Sequence, residues 1–264
     1  MQRTHVHSQP GGTHLVVNHP CDELSVSAAA ATTCATVRLM PLRDGDELAE
    51  DRIRRTEITS TGGQFRISLP DPPAVRCASI GGVQVHQSAT VVTGTLVGIQ
   101  AGHVGGNSIT TGAFGAGVDG RVRVHVAVPA ESGLDATSQS GSVDTSGTLT
   151  QIRMRSQSGG LDAEHVADRL DVDTQSGTVT AYRLDRRAVI QTMSGRVQLP
   201  KLHGQAAVES MSGQVAADVY DAGSLQASTM SGPIIASAPH AEQVRTRTMS
   251  GPVLVNGQHH RGRC

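Results

Sequence analysis

Five carboxylates, Asp135, Asp144, Asp162, Asp171 and Asp173, fall at related positions of a stretch that repeats itself. Stacked carboxylates can hold Ca²⁺ or, in β-helical polysaccharide lyases, serve elimination from uronic acids. Asp144 and Asp162 each stand three residues after a glycine, so they come into line. No motif sets an Arg or Lys beside them as a base, and the Gly/Asp repeat of calcium-binding solenoids is missing, so they are expected to be solvated surface groups. Gly115-Ala116-Gly117-Val118-Asp119-Gly120 spells G-x-G-x-x-G. That fingerprint needs a strand before it and a helix after it. Here Arg121 to Val128 alternates like a strand, and no dinucleotide cofactor is expected. His259 and His260 with Cys264 could ligate a metal only loosely from a flexible end. Nucleophile elbows, P-loops, H-E-x-x-H and zinc-finger spacings are absent. The reading is of a non-enzyme, with no catalytic, cofactor-binding or metal-binding residues.

The elements that place these side chains are written in a repeat. A Ser/Thr-x-Ser-Gly tetrad occurs seven times, first as Ser138-Gln139-Ser140-Gly141 and last as Thr248-Met249-Ser250-Gly251. From glycine to glycine the steps are 18, 18, 18, 18, 19 and 19. A period that regular marks a stack of similar coils. Seven residues before the glycines stand Leu134, Ile152, Leu170, Ala188, Ala206, Leu225 and Val244; two after stand Val143, Leu161, Val179, Val197, Val215, Ile234 and Val253. Polar residues separate such positions with period two, the pattern of strands buried on one side. The fold class is therefore all-β, a parallel β-solenoid (β-helix) of seven or more coils of ~18 residues. At about 4.8 Å per rung, six steps make a rod of about 29 Å. In that register Arg153 and Arg155 lie over Asp171 and Asp173, which supports parallel pairing. The same parity points both tetrad hydroxyls inward. It makes the glycine the corner, on the expectation that its backbone turns with positive φ.

Composition agrees. The chain has 264 residues, with two Phe, two Tyr and no Trp, so its core must be built from Val, Ile, Leu, Ala and Met. Thin layers of such residues suit stacked strands. A net charge of -1 with mixed signs gives no nucleic-acid footprint. Cys21, Cys34, Cys77 and Cys264 form no C-x-x-C pair, and are read as free thiols or as holding one Cys21–Cys34 disulfide. No stretch approaches the ~18 apolar residues of a membrane span, and Met1 to Gly12 shows no apolar export segment, which makes the cytoplasm the expected compartment.

In chain order the expectation is a flexible tail over 1–12, a β-rich N-terminal region over 13–75, Gly-rich early coils or an insertion over 76–118, the solenoid over 119–256, and a second tail over 257–264. Asp44 to Arg55 reads as one short helix or a hairpin loop, and Gln64 to Leu69 as an alternating strand.

The segment Val124-His125-Val126-Ala127-Val128-Pro129, the run Leu134 to Gly141 and the Ser-Gly rungs after it resemble the bacterial "putative adhesin" family. That resemblance implies a β-solenoid, surface binding, and no catalytic residues to carry over. The function expected is a binding or scaffold module that contacts a protein or glycan partner. Alternatives are a self-assembling structural protein similar to bactofilins, and a carbohydrate-active β-helix. The candidate partner surface is the variable residue of the tetrads: Gln139, Gln157 and Gln175, then Met193, Met211, Met230 and Met249. Four methionines in register would make an adaptable apolar stripe, unless another part of the chain covers it.

Overall fold

The computed structural model describes residues 2–19, 22–72, 120–221, 223–239, 241–256 and 261–262. From Gly133 onward the chain winds a flattened parallel solenoid. One side is built from strands Gly133–Ser138, the later part of Val143–Ser156, the later part of Leu161–Thr174, Arg187–Thr192, Gln205–Ser210, Ser224–Thr229 and Gln243–Thr248, each paired in parallel with the next. The other side is built from the early parts of Val143–Ser156 and Leu161–Thr174, then Val179–Leu184, Val197–Leu202, Val215–Val219, Ile234–Ser237 and Val253–Asn256. The residues seven before each tetrad glycine are all buried, and so are those two after it until Val253, which is 42% exposed on the last described rung of its side. Asp171 and Asp173 pair across the ladder with Arg153 and Arg155, as the charge order requires, and Arg153 reaches Asp171 at 3.6 Å.

Two corner details differ from expectation. The first hydroxyl of each tetrad does turn inward, but the third-position serine is exposed. Its hydroxyl and its N–H both turn to one carbonyl of the preceding coil: Ser212 donates to the Met193 oxygen from N at 2.9 Å and from Oγ at 3.2 Å. The inward hydroxyl accepts from the glycine N–H three residues on, as in Ser138 to Gly141 and Ser156 to Gly159, both at 2.7 Å. The same closure holds Thr192 to Gly195 and Ser210 to Gly213, Thr229 instead donates to the Gly232 carbonyl, and the later tetrads tie themselves to the rung below through the third-position serine. The glycine is required for a different reason than positive φ, which these glycines do not adopt. A Cβ on Gly195 or Gly213 would be driven into the carbonyl oxygen of the glycine one coil earlier. Close approach of stacked corners, not chain reversal, excludes every other residue there.

The solenoid does not begin at its first tetrad. His14–Asn18 pairs in parallel with Gly133–Ser138, and Glu23–Ala29 with the start of Val143–Ser156. Leu15 aligns with Leu134, Val17 with Ala136 and Leu24 with Val143, so His14–Asn18 and Glu23–Ala29 form one more rung of the stack. In this rung His19 and Asp22 stand where Ser138 and Gly141 stand in the next. Beyond it the sides are extended by Gln64–Ser68 with its antiparallel neighbour Glu57–Thr61, and by Val122–Pro129, Cys34–Pro41 and Arg3–Pro10.

The charged stretch after Asp44 folds as a helix, Glu47–Arg55, which lies against Cys34–Pro41 and Val122–Pro129. Asp46 caps it, accepting from Ala49 N at 3.0 Å, with acidic residues in the first turn and basic ones in the last. Its Arg52 is 1% exposed and grips the wholly buried Asp22 with two bonds, Nη1 to Oδ1 at 2.8 Å and Nη2 to Oδ2 at 2.7 Å. Arg52 also donates to the carbonyls of Pro70 and Gly120, while Asp22 accepts from Val122 N at 2.8 Å. Gly120 carries φ of 68° and leads into a strand, not a helix, so it opens no dinucleotide site; Gly115 to Asp119 lie outside the described residues.

Candidate binding surface

The tetrad corner projects its variable residue outward because the two flanking positions are spent on hydrogen bonds to the backbone. Gln139, Gln157 and Gln175 are exposed, and Met193, Met211, Met230 and Met249 are exposed by 51%, 47%, 47% and 76%. No other described part of the chain covers the four thioethers. Their alignment follows from the ladder of amide bonds across the corners: Ser212 N to Met193 O, Ser231 N to Met211 O and Ser250 N to Met230 O, at 2.9, 2.9 and 3.0 Å. Met154, by contrast, belongs to an inward column and is 1% exposed. On the other side of the solenoid, Ile235 and Leu254 pair on the last two described rungs and are exposed by 41% and 55%. Around the Gln half the surface is polar instead, a shallow groove shared with Asn18, Asp71, Arg155 and Asp173.

The acidic column is present as well. Asp162 pairs with Asp144 across adjacent rungs. The Asp144 side chain reaches solvent, yet partial desolvation of its carboxyl, then the charges of Asp162 and Glu23, pushes it above its ordinary value. Glu23 itself is held by Arg123 at 3.1 Å. Among the described residues no group of three or more His, Cys, Asp or Glu is arranged to hold a metal ion. Cys34 is a half-buried free thiol; Cys21, Cys77, His259, His260 and Cys264 lie outside the described residues.

Sequence reasoning passed over three histidines that bind carboxylates of neighbouring rungs: His14 with Asp135, His165 with Asp185 and His203 with Asp221, at 2.9, 2.7 and 2.9 Å. Their partners lie about one coil away, a signal legible only once the register is fixed. His165 extends the line, its Nδ1 standing 2.8 Å from the Thr148 hydroxyl. Burial raises the Asp185 carboxyl, but hydrogen bonds from Arg183 and His165 outweigh it and hold the group below its ordinary value. Hydroxyl, imidazole and carboxylate in line is the order of a nucleophilic relay. The preceding N–H, of Gly147, is donated to Glu164 at 2.7 Å, so it is not turned toward an oxyanion at that hydroxyl. The line acts as a polar seam that joins three coils.

His19 is the other polar group missed. It is fully buried, with Nδ1 3.1 Å from the Asp22 carbonyl oxygen and Nε2 without a partner among the described residues. Burial lowers its pKa, against the opposing pull of the Asp22 carbonyl and charge.

A family model described as Toastrack DUF4097 matches residues 82–261. Among solved structures, the chain is similar to a "putative adhesin" from Bacteroides fragilis NCTC 9343, with 10% identity and a TM-score of 0.54 over 98% of this chain and 97% of that one. It also aligns with a "putative lipid binding protein" from Parabacteroides distasonis ATCC 8503, at 12% identity and a TM-score of 0.48 over 98% and 97% of the two chains. The first likeness shows a shared fold; the second is too distant to carry an argument. No curated protein matches the chain.

Proposed function

The chain belongs to the Toastrack DUF4097 family, and from that premise we propose that it is a non-enzymatic binding or scaffold module, adhesin-like, whose tetrad corner contacts a protein partner. The observation that supports this is the set of four methionines, each about half exposed or more, stacked in register on one edge. Thioethers on flexible unbranched stems repack against varied apolar surfaces, and a rigid stack holds them in place at little entropic cost. A role at the cell surface accords with this reading, and the solved relative named for adhesion has the same fold. Among the described residues no helix is long and apolar enough to cross a membrane.

The test is a pull-down comparing wild type with a variant in which Met193, Met211, Met230 and Met249 are changed to Ser. Bound proteins are expected to fall to background in the variant. An unchanged captured set contradicts the assignment. Self-assembly is the second reading, favoured by the exposed Val253 and Leu254 on the last described rung. Light scattering after size-exclusion chromatography separates the two, because a monomer independent of concentration excludes assembly.

A further inference from the structure

On the flat side of the solenoid, away from the methionine edge, four successive strands enclose a shallow groove of about 240 Å³. Its outward residues follow from the register: Arg187, Gln205, Ser224 and Gln243 occupy one column, and Val189, Ala207, Gln226 and Arg245 the next. The depression exists because Ala207 is the small member of its column, above the buried Ala206 and Leu225. Nothing long enough to fill the centre projects from that rung. The two guanidiniums lie at opposite ends, three rungs apart, or about 14 Å.

The charge state of this groove is unlike that of the coils before it. There Arg153 and Arg169 meet Asp171, and Arg183 meets Asp185. Arg187 and Arg245 have no carboxylate partner among the described residues. Gln243 stands beside Arg245, and with its amide turned to present the oxygen it accepts from Nε at 3.2 Å and Nη2 at 3.1 Å. Of the carboxylates on this side, Asp171, diagonal to Arg187 on the preceding rung, is held by Arg153 and Arg169, and Glu209 is engaged by Gln191 at 3.4 Å.

We propose that this groove binds an acidic polysaccharide, with Arg187 and Arg245 each taking a carboxylate of the chain and the amides of Gln205 and Gln226 and the hydroxyl of Ser224 reading sugar hydroxyls between them. Guanidinium forks match carboxylates in geometry, and amide and hydroxyl side chains can both donate to and accept from a sugar hydroxyl. Ala207 leaves room for the apolar face of a ring against the floor. A single-stranded nucleic acid would be expected to stack on aromatic rings, and the groove has none. A lipid surface would be met by apolar side chains, and the rim here is amide and guanidinium.

Titration of the protein with polygalacturonate and with neutral dextran, in low salt and in 0.3 M salt, tests this. Wild type is expected to bind polygalacturonate only, more weakly in high salt. The variant carrying Arg187→Gln and Arg245→Gln, both surface changes, is expected to lose at least tenfold in affinity. The four-serine methionine variant is expected to bind as wild type does, which separates this groove from the corner. Equal binding to dextran, an unchanged affinity in the double glutamine variant, or equal retention by anionic lipid vesicles or single-stranded DNA would overturn the proposal.

Discussion

Asp22 accepts three hydrogen bonds through its carboxylate in a site closed to water, two of them from Arg52. Removing one member of such a pair strands the other's charge in the interior, which typically costs about 3–5 kcal/mol. Arg52→Ala is therefore expected to lower stability by that order in urea unfolding, whereas Arg55→Ala, in the exposed pair with Asp51, changes it by less than about 1 kcal/mol. Asp144 behaves in the opposite sense. Its folded pKa is raised, so its contribution to stability is present below the ordinary carboxylate value of 3.8 and is lost as pH rises through the raised value. Asp144→Asn is expected to raise the unfolding midpoint at pH 7 and to leave it unchanged near pH 3.5; an equal gain at both would remove the electrostatic cause. Neither role could be read from the sequence alone. Asp22 is one of many surface-type residues until its pairing partner, 30 residues away, is placed beside it by the helix Glu47–Arg55, whose charged sequence suits a helix or a hairpin loop equally.

At the scale of the coil, the apolar columns were fully legible because period two and the 18-residue step leave only one parity that buries Leu, Ile and Val together. The corner was legible only in part. Following strand parity through the tetrad turned both hydroxyls inward, but a corner is not a strand: the chain rotates there, and the third-position serine emerges to bond the previous rung. The tetrad glycines show the same limit, since crowding between rungs leaves no trace in a single repeat. Gly195→Ala should therefore push stacked corners apart, with a cost of about 1–3 kcal/mol, the ordinary range for forcing an extra methyl into close packing. Gly62→Ala, at a turn with open space but φ of 55°, is the contrasting control: it tests backbone strain rather than crowding. If Gly195→Ala is silent in thermal unfolding, the close-approach account of the corner is wrong.

For the whole molecule, His14–Asn18 and Glu23–Ala29 complete the stack by pairing with strands a hundred or more positions later. This rung escaped sequence reading because His19 and Asp22 replace the Ser and Gly that made the other corners recognisable. The stack then presents two surfaces of different chemistry, an apolar edge of methionines and a flat side where Arg187 and Arg245 have no carboxylate partner among the described residues, and the first carries the proposed function. Methionine oxidation footprinting tests it most directly, by exposing the protein to peroxide with and without the partner captured in the pull-down and reading each site by mass spectrometry. Met193, Met211, Met230 and Met249 are predicted to oxidise readily in the free protein while Met154 does not, and to be protected in the complex. Protected methionines in the free protein, or equal oxidation of the four in both states, would contradict the account.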